Sequence, residues 1–172
     1  MRYWTLLPLC LAACSGGDDA GKEKAQGPAA DTVEAGQWET SAEVTSFRSK
    51  DPATPAVKAA VGDKATGSAC VAKGEEAKPD PALFAGDGYQ CTYKSSYIRK
   101  GRLNASLRCK RDGITGDILM TVLGTYTGTT FEGTVDTITY LPAENDGDFE
   151  MSRKIGGRKT GDVCQAPAAA KA

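Results

Sequence analysis

The sequence predicts a mainly β domain, an antiparallel meander of about six strands forming a curved sheet or open barrel with one or two short helices. Three observations carry this. The 20 glycines and 8 prolines make about 16% of the 172 residues, where an average chain has roughly 12%. Runs of period-two alternation, separated by turn signals, recur from Gln37 to Lys159. Helical character is confined to two short stretches. The length fits one domain.

The first element precedes the domain. Met1 to Ala13 reads as an export signal, with Arg2 as its positive end and an apolar run from Tyr3 to Ala13. That run is far shorter than the roughly 20 residues a membrane span needs. It ends Leu11-Ala12-Ala13-Cys14, which is similar to the lipobox of bacterial lipoproteins. Small residues there let a peptidase approach the backbone, and the Cys14 thiol takes a diacylglycerol. Cys10 competes less well, because Pro8 and Leu9 precede it. Each buried CH2 of an acyl chain contributes about 0.8 kcal/mol, so two or more chains hold the protein on the membrane. By the same resemblance, Ser15 in place of aspartate favours the outer membrane, facing the periplasm.

Residues 14–35 form the lipidated tether. Ser15 to Ala35 is rich in Gly, Ala, Asp and Lys, with Val33 its one large apolar residue, too little to bury against anything. Residues 165–172 read as a disordered tail, leaving 36–164 as the folded domain.

Within it, Gln37 to Phe47 alternates and puts Trp38, Ala42 and Val44 on one face of a first strand. Asp51 to Gly67 is Ala/Pro-rich, with a short helix expected from Pro55 to Val61, and Pro79 to Phe84 gives a second helical turn. Tyr89 to Ile98 and Arg102 to Lys110 flank Arg99-Lys100-Gly101, read as a three-residue hairpin loop. Pairing positions that sum to 200 sets Cys91 against Cys109, Tyr93 against Leu107 and Tyr97 against Leu103 on an apolar face, with Ile98 on the polar one. Asp112-Gly113 is a type I′ signal that pairs Leu107 with Ile118, Ala105 with Met120 and Leu103 with Val122. Gly128-Thr129 then sets Tyr126 opposite Phe131 and Val122 opposite Val135. Leu119 and Leu123 point away from that face while Thr137 and Thr139 point into it. This implies either cover on both sheet faces or a bulge at Gly116 or Gly124. A turn at Asn145-Asp146-Gly147 leads to a last strand, Phe149 to Lys159, interrupted at Gly156-Gly157.

Four cysteines remain in the mature chain: Cys70, Cys91, Cys109 and Cys164. An even count in an oxidising compartment reads as two disulfides. The hairpin register places Cys91 and Cys109 at a non-hydrogen-bonded site, where Cα atoms lie about 4.5 Å apart, within disulfide reach. Cys70–Cys164 follows by elimination. There is no CxxC and no His, so a zinc site or redox pair has no support.

The absence of histidine removes Ser–His, Cys–His and His-ligated metal mechanisms. A net charge of −1 argues against nucleic acid and general polyanion binding. The hairpin nevertheless carries Lys94, Arg99, Lys100, Arg102 and Arg108 with no acid among them. Its first reading is a solvated face that blocks strand-on-strand aggregation. Its second is a contact for head-group phosphates or another anionic envelope component. Glu144 to Asp148 lacks the spacing of an EF-hand calcium loop and reads as a turn. Carboxylates such as Glu132 and Asp136, four apart on one strand face, would serve a histidine-free hydrolase, though exposed acids on a strand edge are their first reading. No cofactor is implied.

Several pieces in order carry a family likeness. They are Ala35-Gly36-Gln37-Trp38-Glu39 opening a strand, Cys70 ahead of Glu75 to Gly86, and Cys91 and Cys109 bracketing a hairpin. Gly124-Thr125-Tyr126-Thr127 follows, then Phe131-Glu132-Gly133-Thr134, Gly156-Gly157-Arg158 and Gly161-Asp162-Val163-Cys164. The chain resembles the domain-of-unknown-function family 3617, small exported proteins of proteobacteria, over roughly Gly36 to Cys164. The resemblance implies an exported domain and brings no catalytic residues. The expected function is a lipid-anchored periplasmic binding or interaction module of the cell envelope, not an enzyme. A carboxylate-dependent periplasmic hydrolase is the alternative.

Overall fold

The computed structural model describes residues 30–142 and 147–164. Among these, seven antiparallel strands curl into a half-barrel. In chain order they are β1 (Gly36–Ser49), β2 (Lys64–Val71), then helix α1 (Ala82–Ala85), β3 (Tyr89–Arg99), β4 (Arg102–Arg111), β5 (Ile114–Tyr126), β6 (Thr130–Tyr140) and β7 (Phe149–Gly161). Their order in the sheet is β2-β1-β7-β6-β5-β4-β3. Strands β3 to β7 therefore form the expected meander, and β1 joins its β7 side with β2 beyond it. Helix α1 touches β1, β2 and β3, so it covers the gap between the two edge strands, with Leu83, Phe84 and Ala85 buried.

Two elements differ from expectation. Strand β2 has the composition Lys-Ala-Thr-Gly-Ser-Ala-Cys-Val and buries only Val71 fully; its small side chains give no apolar alternation, and the ladder to β1, from Gly36↔Val71 to Glu43↔Lys64, makes it a strand. No helix forms over Pro55 to Val61. Instead Pro55 bridges to Gly147, and the Ala56 amide donates to the Gly147 carbonyl at 3.2 Å.

The tether boundary also moves. Residues 30–35 lie on the domain: Val33 is 1% exposed, the Gly101 amide donates to the Ala30 carbonyl, and the Tyr126 hydroxyl donates to Asp31 O at 2.7 Å. One buried valine and a set of backbone bonds suffice for docking, and neither shows in composition.

The β3–β4 hairpin closes on a two-residue turn, Lys100-Gly101, with φ of 53° and 71°. Both positive values suit the type I′ turn whose twist matches the strands. Arg99 therefore pairs with Arg102, and Ile98 with Leu103. A bulge at Lys94 absorbs the extra residue, so the expected pairs Cys91↔Cys109 and Tyr93↔Leu107 stand while those nearer the turn slip by one. The slip exchanges faces: Ile98 is buried and Tyr97 is exposed. Between β4 and β5 the register moves by two, setting Leu107 against Met120 and Ala105 against Val122, with Gly116 at φ 122° in the irregularity. An even shift preserves faces. The β5–β6 register is as expected, with Tyr126↔Phe131 and Val122↔Val135, and Thr137 and Thr139 are buried. The opposite face of β5 is not covered, since Leu123 stays 44% exposed on the convex side. Strand β7 runs unbroken through Gly156-Gly157 because both β1 and β6 pair with it there. The turn expected at Asn145 falls largely outside the described residues.

Both disulfides form as expected, Cys91–Cys109 with Cα atoms 4.0 Å apart and Cys70–Cys164 with 5.4 Å. The core is divided. A large cluster contains Trp38, Leu83, Phe84, Leu107, Ile118 and Phe131, and a small one contains Val44, Phe149 and Met151. Phe131 is 5.9 Å from Trp38 and 5.3 Å, edge-on, from Phe84. It lies over its cross-strand partner Gly157, where a Cβ would be 2.6 Å from Phe131 Cζ. Gly157→Val is thus expected to displace the ring and cost about 1–3 kcal/mol. An unchanged urea midpoint would show that Phe131 has other room.

Candidate functional site

The two core clusters do not meet completely on the concave side. Between them is a cavity of about 540 Å³, within the roughly 300–1,000 Å³ of small-molecule sites. Leu83, Phe84, Phe131 and Ile155 from the large cluster form one wall, and Val44 and Met151 from the small cluster form the other. Exposed Lys58, Asp63, Lys64, Asp87 and Asp112 line its mouth.

Arg153 occupies the junction. Alternation along β7 sends Phe149, Met151, Arg153 and Ile155 to one face, where β1 sets Val44 and β6 sets Val135 beside the arginine. The residue is only 8% exposed. Its Nη2 donates to the Ala85 carbonyl at 3.0 Å and lies 3.8 Å from Met120 Sδ. Its buried Nε has no hydrogen-bond partner, and among the described residues no carboxylate forms an ion pair with this guanidinium. Burial holds its pKa below the ordinary arginine value; Tyr89 opposes the effect and Arg111 adds to it. Arginine nevertheless keeps its proton, so the cavity wall contains a desolvated positive charge. Tyr89 links it to the half-buried Arg111: Arg153 lies 5.6 Å and Arg111 4.9 Å from the Tyr89 ring centroid, and Arg111 Nη1 donates to the Tyr89 hydroxyl at 3.1 Å.

The segment closing this side is fixed independently. The Tyr93 hydroxyl donates to Pro79 O at 2.7 Å, and burial, aided by Asp80, pushes its pKa up. Gly86, at φ 82°, follows α1; a Cβ there would be 3.5 Å from Arg153 Nη1.

The residues singled out in the sequence lie elsewhere. Lys94, Arg99, Lys100, Arg102 and Arg108 are all exposed, but they form a stripe along the hairpin, not a cluster. Arg102 and Arg108 are six residues apart on β4, about 20 Å. Arg99 covers the Tyr97 ring at 4.4 Å, and Arg108 has Asp117 at 3.9 Å. Glu132 and Asp136 are exposed on the convex face, where Ser152 Oγ donates to Asp136 at 2.6 Å. They do not share the cavity. Of the Glu144–Asp148 segment, residues 144–146 lie outside the described residues; the Asp148 carboxylate accepts from the Leu141 amide and the Thr139 hydroxyl. Cys14 also lies outside them. Arg153 and Tyr89 were missed, although a lone charge at an alternating apolar position of β7 was the available signal.

No curated protein and no solved structure shows significant similarity to this chain. A family model matches residues 33–164, from the buried Val33 to the cysteine that closes the long disulfide, and the chain thereby belongs to the family described as protein of unknown function (DUF3617).

Proposed function

We propose that the protein is a lipid-anchored module of the cell envelope, held at the periplasmic face of the outer membrane by acylated Cys14, whose folded domain binds a ligand without transforming it. The observation that carries the binding reading is the concave cavity, about 540 Å³ left open between two apolar clusters. Support for the anchor is the Leu11-Ala12-Ala13-Cys14 sequence behind an apolar leader. Two disulfides suit an oxidising compartment.

Fractionation of the native host tests the anchor. The wild-type chain is expected in the outer-membrane fraction, with mass spectrometry showing an acylated N-terminal cysteine. Cys14→Ser is expected in the periplasmic extract. An unacylated wild-type start at another residue would overturn the anchor.

A further inference from the structure

We infer that the concave cavity is a site for a small amphiphilic monoanion, a carboxylate on an apolar chain or ring, with Arg153 as the group that receives the charge. This deepens the binding reading above and rests on it. Three observations lead there. The walls are apolar on two sides, so an apolar body is favoured inside. A guanidinium sits among them, nine-tenths buried, with its Nε unpartnered and no carboxylate paired to it.

Leaving a buried charge so poorly compensated disfavours the empty protein. An anion in the cavity beside this guanidinium would offset that penalty, and charge-assisted interactions of this kind are the strong ones. Finally, among the described residues Arg153 is the one buried cation, while Arg111, which also lines the cavity, is half-buried across the Tyr89 ring. One positive group suits a monoanion; a doubly charged phosphate would bring a second charge into the same apolar surroundings. The cavity volume admits one small molecule and not a polymer.

Titration calorimetry on the folded, unlipidated protein, below micellar concentrations, uses three probes: decanoate, decanol and acetate. Decanoate is expected to bind one to one and to raise the melting temperature. Decanol, without the charge, and acetate, without the chain, are each expected to bind at least about tenfold more weakly. Arg153→Met is expected to lose the preference for decanoate over decanol while keeping a urea midpoint no lower than the wild type. Equal binding of decanoate and decanol to the wild type, binding of acetate as tight as decanoate, or no binding of decanoate would each overturn the inference. The wild-type comparisons decide the matter even where the variant does not fold. They also leave the anchor untouched, since a membrane-fractionated chain that ignores decanoate retains its envelope role and loses only this ligand.

Discussion

Removing the Cys70–Cys164 bridge is expected to cost up to about 4.7 kcal/mol, against about 3 kcal/mol for Cys91–Cys109. The two differ in what they close: 94 residues of sequence in the first case and 18 in the second. Cross-linking the longer segment removes more freedom from the unfolded chain. Native-state geometry points the same way. Cys91 and Cys109 face each other within a hairpin already held by its ladder. Cys70 is on β2, which has β1 as its one strand neighbour, and Cys164 lies just beyond β7. Loss of the long bridge should therefore free the outer edge of the sheet first. Urea unfolding of Cys70→Ala/Cys164→Ala and Cys91→Ala/Cys109→Ala variants gives the ranking, and hydrogen exchange should show β2 amides losing protection in the first. Equal midpoints, or the reverse order, would refute this.

Trp38→Ala is expected to cost about 3–5 kcal/mol, a large part of the roughly 5–15 kcal/mol that holds a domain together. The side chain is fully buried on β1, between its neighbours Ala69 on β2 and Lys159 on β7. It stacks near Phe131, and its indole Nε1 donates to the Glu34 carbonyl at 3.1 Å. The same residue thus fills the large core and fastens the arm that precedes β1. Trp38→Phe separates the two roles: it retains most of the apolar area but leaves Glu34 O without its donor. A smaller loss in the urea midpoint is expected, with increased exchange at residues 31–35. Were alanine and phenylalanine to cost the same, packing would not be the dominant contribution.

Much of the architecture was legible because alternation and turn chemistry act locally. Tyr126 opposite Phe131 and Cys91 opposite Cys109 follow from counting outward from a glycine turn, and the structure has both. The failures have a common cause in tertiary contacts. The hairpin tip slips by one because a bulge at Lys94 lets Ile98 enter the core, and a bulge in a polar stretch leaves no compositional mark. Strand β2 is formed by its partner, not by its own small side chains. The cavity escaped for another reason. Its walls come from β1, β2, β6, β7, the α1 segment and the β4–β5 turn, which are far apart in sequence. The parity of Arg153 could be counted, but the space beside it could not.

The docked arm fixes the end of the sheet at which the described chain enters the domain. Ala30 and Glu34 are tied to Gly101 and Gly128, at the end where β3–β4 and β5–β6 reverse. Asp112 and Gly113, at the far pole, border the cavity mouth. With the chain fixed at Ala30, the fifteen positions from Ser15 to Ala29 extend at most roughly 50 Å. The chain therefore enters at the tip that carries Arg99, Lys100 and Arg102, and the cavity mouth lies at the opposite end of the sheet.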